Sequence, residues 1–565
     1  MKTIFCVLFL FISVQIFSQT RTFNVNFNTN NGTFKSLGNA NSKLLNSTDS
    51  GYHDMGIKEI RTHGFTESDY WRYTTGFVNL STNYSSAPTF NSNFNPQLPG
   101  NYDFAVHGTD NLISNLITNG YQPYFRLGVS WPNFADTVGG GICTPCIPLN
   151  PPCDIGGSTF HTFASICAKT VLHYTANWNN TGYNYNIPYW EIWNEPDGVF
   201  WNGTPEQFYQ LYRETADSIK AVDSTLKVGT CGLTRNSMVS HDTTYVNKLI
   251  HYCNVNDVPL DFYSWHMYKQ YNPYGIRSYA LGVRSALDAN GFFNTESHIS
   301  EINAELTPNS EYDTSAKGAA YVASLLMTCQ DAPVDNVFWF SGNGLGPLAN
   351  PDAAGSPDLA WKGFGMKAHN TLVSETPTKL TTTGNAVVNN IPADTTNIMI
   401  IAGKNSSDQV DILISNLHSS YTKDSVVLSN LPFTSGDMLK IEQYKTQDPD
   451  NKFALTSDTV TGSASLTIVI GSAKAPSVYL IKISKIGVTE INEKQIDKTI
   501  LLSPNPADSK LVFSETLQNF EVYNISGQLV IPKIKSAKSI STQSLPDGAY
   551  FISADSTILK FIVKH

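Results

Sequence analysis

A chain of 565 residues is longer than one simple core supports, so at least two domains are expected. Lysine and arginine number 37 against 47 aspartate and glutamate; the formal charge of −10, with no basic block, leaves no electrostatic footprint for a nucleic-acid partner. Aromatic residues make up 12% of the chain, more than packing requires, and flat rings suit sugar faces or interfaces.

The opening residues, MKTIFCVLFLFISVQIFSQT, place one lysine before an apolar run from Ile4 to Phe17 that ends at Ser18. The run is short for a membrane span and reads as a secretory signal peptide over 1–18. No later stretch is long and apolar enough for a membrane span, so an exported, soluble mature chain is expected. Cysteines 143, 146, 153, 167, 231, 253 and 329 follow the cleavage point, and export favours their oxidation. CTPC at 143–146, with Cys153 nearby, has half of a zinc-type spacing but no second CxxC. Loop-stapling disulfides are therefore expected, and no metal is assigned.

Over 19–369 strand-like runs alternate with helical patterns, which predicts a βα-repeat fold with a parallel sheet. In chain order the runs are SLGNANS (36–42), the weakest, then IKEIRTHG (57–64), QPYFRLGVS (122–130), YWEIWNE (189–195), LKVGTCG (226–232), DFYSWHMY (261–268), SHISEIN (297–303) and VFWFSG (337–342). Together they supply the strands of a (β/α)8 TIM barrel. One helix is readable in detail: Thr204 is its N-cap, Pro205 opens it, Gln207 completes a capping box, and Phe208, Leu211, Thr215, Ile219 and Val222 form one stripe. From 370 to 486 alternating runs such as NIMIIAG, QVDILISNL, SVVLSNLP and SVYLIKISKI predict an all-β sandwich. A polar linker at 487–498 precedes a compact β segment over 499–565.

Reactive groups in such a barrel project from the C-terminal ends of strands, where this chain carries Arg61, His63, Arg126, Asn194, Glu195, His266, Tyr268, Glu301 and Trp339. Two are acids, on strands four and seven. Glycosidic hydrolysis needs this equipment: one carboxylic acid to protonate the departing oxygen and a second carboxylate on the other face of the sugar. Glu195, beside Trp193, is the candidate acid; Glu301, with Tyr268 or His266 as hydrogen-bond donors, is the candidate nucleophile. Glu305 is a weaker rival for that role, and Glu191 reads as a buried layer residue held by a basic partner. Asp197 reads as a loop acid.

WEIWNEPDGVFW, followed by PEQFYQLYRETADSIKAVDSTLKVG, resembles the acid/base strand and next helix of glycoside hydrolase family 39, in the clan of retaining (β/α)8 enzymes. GIKEIRTHGF is similar to the family's second-strand segment, YQPYFRLGVSWP to its third and DFYSWHMY to its sixth, so the likeness covers most of 35–370. It implies Glu195 as acid/base and Glu301 as nucleophile, with His63, Asn194, His266 and Tyr268 lining the sugar site, Trp339 as a sugar platform, and no cofactor or metal. Strand seven departs from the family's usual Thr-Glu-Trp-Asn: SEIN at 300–303 keeps Glu301 and Asn303 but has Ile302 for the aromatic. NVFWFSGNG lacks the acidic residues that often follow strand eight in the family.

LLSPNPADSKLVF, FEVYNISGQLV and LPDGAYFISADSTILKFIVKH resemble the C-terminal sorting domain of the type IX secretion system, a small β-sandwich. The expectation is a secreted or cell-surface retaining β-glycosidase, β-xylosidase-like, whose partners are an oligo- or polysaccharide and the type IX machinery. Alternatives are an endo-acting polysaccharide hydrolase of the same clan and a non-catalytic carbohydrate-binding surface protein.

Overall fold

A computed structural model of the chain describes residues 20–41, 50–62, 79–80, 96–104, 109–127, 157–198, 201, 203–230, 232–234, 244–268, 271–342, 346–349, 359–385, 398–419, 421, 423–471, 473–486, 500, 502–554 and 557–565. The stretch expected to be a signal peptide, the stretch expected to be a linker, His63, Cys143, Cys146, Cys153 and Cys231 lie outside these residues. The chain divides into two compact units, 1–486 and 487–565.

Eight parallel strands close into a barrel in the first unit. They are Gly38–Asn41, Glu59–Arg61, Gln122–Leu127, Tyr189–Ile192, Lys227–Gly229, Phe262–Tyr268, Glu296–Asn303 and Asn336–Trp339, numbered one to eight, with strand eight pairing back onto strand one. All eight sequence runs are therefore strands, including SLGNANS. That first strand has almost no apolar side chains and is held by amides: Asn39 Nδ2 donates to Asn336 Oδ1 (2.8 Å), and Asn41 Nδ2 to the Ser300 carbonyl (2.7 Å).

Tyr124, Phe262 and Phe338 fill the lower interior of the barrel, with His298 stacked on Phe262. The connecting helices bury their stripes outside it. In helix Pro205–Val222 both halves of the capping box form, and Phe208, Leu211, Thr215 and Ile219 are buried.

A sandwich follows within the same unit. Its six-stranded sheet runs 378–379, 398–404, 410–416, 477–485, 438–447, 451–461; its four-stranded sheet runs 381–383, 20–26, 423–429, 465–470. Strand Thr20–Asn26 pairs in parallel with Lys423–Ser429, so the first described residues, within the 19–369 span expected for the barrel, join the sandwich instead. Every residue of Val410–Asn416 is buried because both faces are covered. Val410, Ile412 and Ile414 face the sandwich core, while Leu413 joins the barrel core and Ser415 Oγ donates to the Ala320 carbonyl of helix Ala316–Cys329 (2.8 Å).

The second unit is a five-stranded antiparallel sheet around a core that includes Leu511, Phe513, Phe520, Ile552 and Phe561. Among the described residues Cys167, Cys253 and Cys329 are buried free thiols, so these three form no staple. No helix among the described residues is long and apolar enough to cross a membrane.

Candidate active site

Two local irregularities bring the acids to the barrel mouth. On a strand, alternate residues share a face. His298 faces the interior, so regular alternation would put Ser300 there next; a register shift between Ile299 and Glu301 instead sets Glu301 opposite His266 and Asn303 opposite Tyr268. Such a bulge re-aims the side chains beyond it. At the end of strand four Trp193 has φ +76 and Glu195 φ +46. Left-handed backbone is costly for bulky residues and concentrates at functional sites. Here it breaks the alternation so that the neighbours Asn194 and Glu195 both reach groups at the mouth.

Arg61 is the fixed centre. Its guanidinium is fully buried and donates from Nε to Glu191 (2.6 Å), from Nη1 to Glu301 Oε1 (2.7 Å) and to Asn41 Oδ1 (3.1 Å), and from Nη2 to Asn194 Oδ1 (2.9 Å). Burial alone would weaken its hold on a proton, but Glu191 and Glu301 outweigh that and raise its pKa further. A buried cation with two carboxylates and two amides is well satisfied. Glu191 is thus committed to Arg61, while Glu301 keeps an edge toward the mouth.

The other oxygen of Glu301, Oε2, accepts a hydrogen bond from the Tyr268 hydroxyl and lies 3.5 Å from His266 Nδ1. Burial and then the charge of Glu301 push the Tyr268 pKa well above its ordinary value, so Tyr268 keeps its proton and donates. His266 Nδ1 lies 2.7 Å from Glu195 Oε1, so one imidazole edge faces both acids. One oxygen of each carboxylate and the imidazole nitrogen lie within 4.8 Å of one another. Glu195 is the more open acid, with its side chain 19% exposed against 5% for Glu301.

Three such groups also make a donor set for a metal ion. Both oxygens of Glu301 are already engaged, one by a guanidinium whose charge opposes a cation at that point. The set fits a carboxylate pair better than a metal centre.

Trp339 is not the exposed platform expected of it. It pairs with Ile302, on the face turned to the helices, where its ring is 1% exposed. There it meets Tyr321 edge-on, lies under Lys362 Nζ and donates from Nε1 to the Gly346 carbonyl (3.2 Å). The next residue, Phe340, is the ring that meets Tyr268, at 5.8 Å. Trp193 likewise packs on the helix side, against Phe163 and Trp201.

Glu305 is tied to its own turn by Leu306 N (2.9 Å), Thr307 N (3.1 Å) and Thr307 Oγ1 (2.9 Å), and accepts from Tyr271 (2.8 Å). The Thr307 amide foremost holds its pKa down to about 2. Asp197 accepts from Thr234 N and Oγ1, joining the loops after strands four and five. The roles of Asn41 and Gly232 were not read from the sequence. Gly232, at φ +55, lies so close to His266 that an added Cβ would stand 2.2 Å from Nε2.

Residues 171–345 match the model described as glycosyl hydrolases family 39, and residues 502–564 that of the secretion system C-terminal sorting domain. The family 39 match spans strands four to eight of the barrel, and with them both Glu195 and Glu301. The chain is 27% identical over 205 residues to a beta-xylosidase of Geobacillus stearothermophilus, a stretch that is 33% of this chain and 39% of that protein. Over 174 residues it is 27% identical to a beta-xylosidase of Caldicellulosiruptor saccharolyticus, covering 30% of this chain and 32% of the relative. The matches thus span less than half the length of either curated relative. A glucosidase from Croceicoccus marinus superposes with a TM-score of 0.64 at 19% identity, over 83% of this chain and 100% of that one, a likeness of fold.

Proposed function

We propose that the chain is a retaining β-glycosidase acting on plant or algal saccharides, β-xylosides foremost, exported through the type IX secretion system to the cell surface or medium. The observation that carries the reading is the approach of Glu195 and Glu301 to within 4.8 Å, oxygen to oxygen. Retaining enzymes hold their carboxyl groups about 5 to 5.5 Å apart, whereas inverting ones leave room for a water at about 6.5 to 9.5 Å. The family match, the two beta-xylosidase relatives and the sorting-domain match support the substrate class and the route of export.

In the first step a Glu301 oxygen attacks the anomeric carbon, the bond from that carbon to the leaving oxygen breaks, and Glu195 gives that oxygen a proton. In the second step Glu195 takes a proton from water, the water oxygen bonds to the anomeric carbon, and Glu301 departs as a carboxylate. Tyr268 and Arg61 hold the nucleophile from its two oxygens, and His266 faces both acids. Asn194 and His63 are assigned to sugar hydroxyls.

A panel of 2-deoxy-2-fluoro glycosyl inhibitors followed by peptide mass mapping tests the proposal. A covalent label on Glu301, fastest with the xylosyl reagent, is expected. Failure of every reagent to label the chain, with binding of the sugars retained, would favour the non-catalytic carbohydrate-binding alternative.

A further inference from the structure

Beyond the nucleophile, where strands seven and eight end, lies a second polar cluster that the reaction as described does not use. Lys362, in the first turn of helix Trp361–Glu375, is fully buried. Its Nζ donates to Asp313 Oδ1 (2.6 Å), Asn303 Oδ1 (3.2 Å) and the Gly346 carbonyl (3.3 Å). Asn303 stands two residues beyond Glu301 and donates from Nδ2 to the carbonyls of Phe340 (2.6 Å) and Gly346 (3.1 Å). With the Trp339 indole, the Gly346 carbonyl therefore receives three donors from three different elements. Gly346 has φ +59, and a Cβ there would stand 2.6 Å from Asn303 Nδ2 and 2.9 Å from Lys362 Nζ, so no other residue fits unaltered.

A buried ammonium is expensive, and apolar packing in its place is often as stable. Its directional bonds fix where the ends of strands seven and eight stop relative to each other. Phe340, held by Asn303, meets the ring of Tyr268, and Tyr268 donates to Glu301. We propose that Lys362, Asn303 and Gly346 are positioning residues that set the Tyr268–Glu301 pair for attack, acting through Phe340 and the end of strand seven. The inference rests on the assignment of Glu301 as nucleophile.

The rate of covalent labelling by a 2-fluoro xylosyl reagent, split into reagent affinity and maximal inactivation rate, provides the test. Lys362→Met is expected to slow maximal inactivation about tenfold or more with affinity nearly unchanged, since small misplacements of a reacting group are costly. Asp313→Asn keeps the Oδ1 acceptor for Lys362 and is expected to retain most of the rate. A lower melting temperature in Lys362→Met with an unchanged inactivation rate would overturn the proposal and leave a structural role only. Should Lys362→Met not fold, Asn303→Asp, which turns two donors into acceptors at unchanged volume, is expected to show the same loss of rate; wild-type labelling speed in it would equally overturn the proposal. Lack of labelling of Glu301 in the wild-type chain would refute the assignment of the nucleophile instead.

Discussion

The two ends of the barrel are both lined with carboxylates, and they differ in what those carboxylates are free to do. At the N-terminal end Glu296 accepts from Tyr189 (3.0 Å) and His298 (3.1 Å) and pairs with Lys227, while Asn336 donates to Glu59 (2.7 Å). Burial would raise the Glu296 pKa, but the bonds from His298 and Lys227 outweigh it and hold it down to about 2. At the C-terminal end Glu191 is likewise consumed by Arg61, yet Glu301 and Glu195 keep an edge toward the mouth and share one imidazole nitrogen. The lower cluster sits on regular strand starts; the upper one needs a bulge and two left-handed residues. Backbone strain, and two acids that face one imidazole, are what set the upper end apart from a lower end that only holds the barrel together.

Substitutions sharpen that contrast. Glu195→Ala is expected to reduce hydrolysis of glycosides with poor leaving groups roughly 10²- to 10⁴-fold. Aryl glycosides with good leaving groups should lose much less in their first step, and azide should restore turnover. Equal losses on both substrate types, read from kcat/KM, would remove Glu195 from the acid role. Gly232→Ala drives a methyl group against His266 and is expected to lower kcat about tenfold, a smaller effect because it acts on the orientation of the imidazole.

Glu296→Gln should leave kcat and KM unchanged and act on stability alone. A carboxylate held at about 2, against an ordinary 4.5, contributes stability that is present above its ordinary value and fades as pH falls toward 2. The variant is therefore expected to melt a few degrees below the wild type at neutral pH, with the gap narrowing below about pH 4.5. A pH-independent gap, or a loss of activity, would contradict the division between the two ends.

Most of the barrel was legible because its strands are apolar runs between turn signals and its helices carry periodic stripes; the capping box at Thr204 follows from four residues alone. The pairing of Thr20–Asn26 with a strand some 400 residues away leaves no local trace. Both acids, and the commitment of Glu191 to a basic partner, could be named from strand-end position and side-chain type. Their environment could not. Alternation along SEIN gives no hint of the bulge that turns Glu301 inward, and nothing in NVFWFSG says that Trp339 faces the helices while Phe340 meets Tyr268. Such features depend on register between strands, which is set by the whole sheet rather than by a segment.

In the proposed mechanism Glu195 and Glu301 work on one anomeric carbon from opposite sides, close enough for direct attack. Proton NMR of the sugar first released from an aryl β-xyloside tests it most directly, before mutarotation blurs the outcome. The β-anomer, formed with retention, is the expected product. First release of the α-anomer would mean that water attacks in a single displacement and that Glu301 is not the nucleophile.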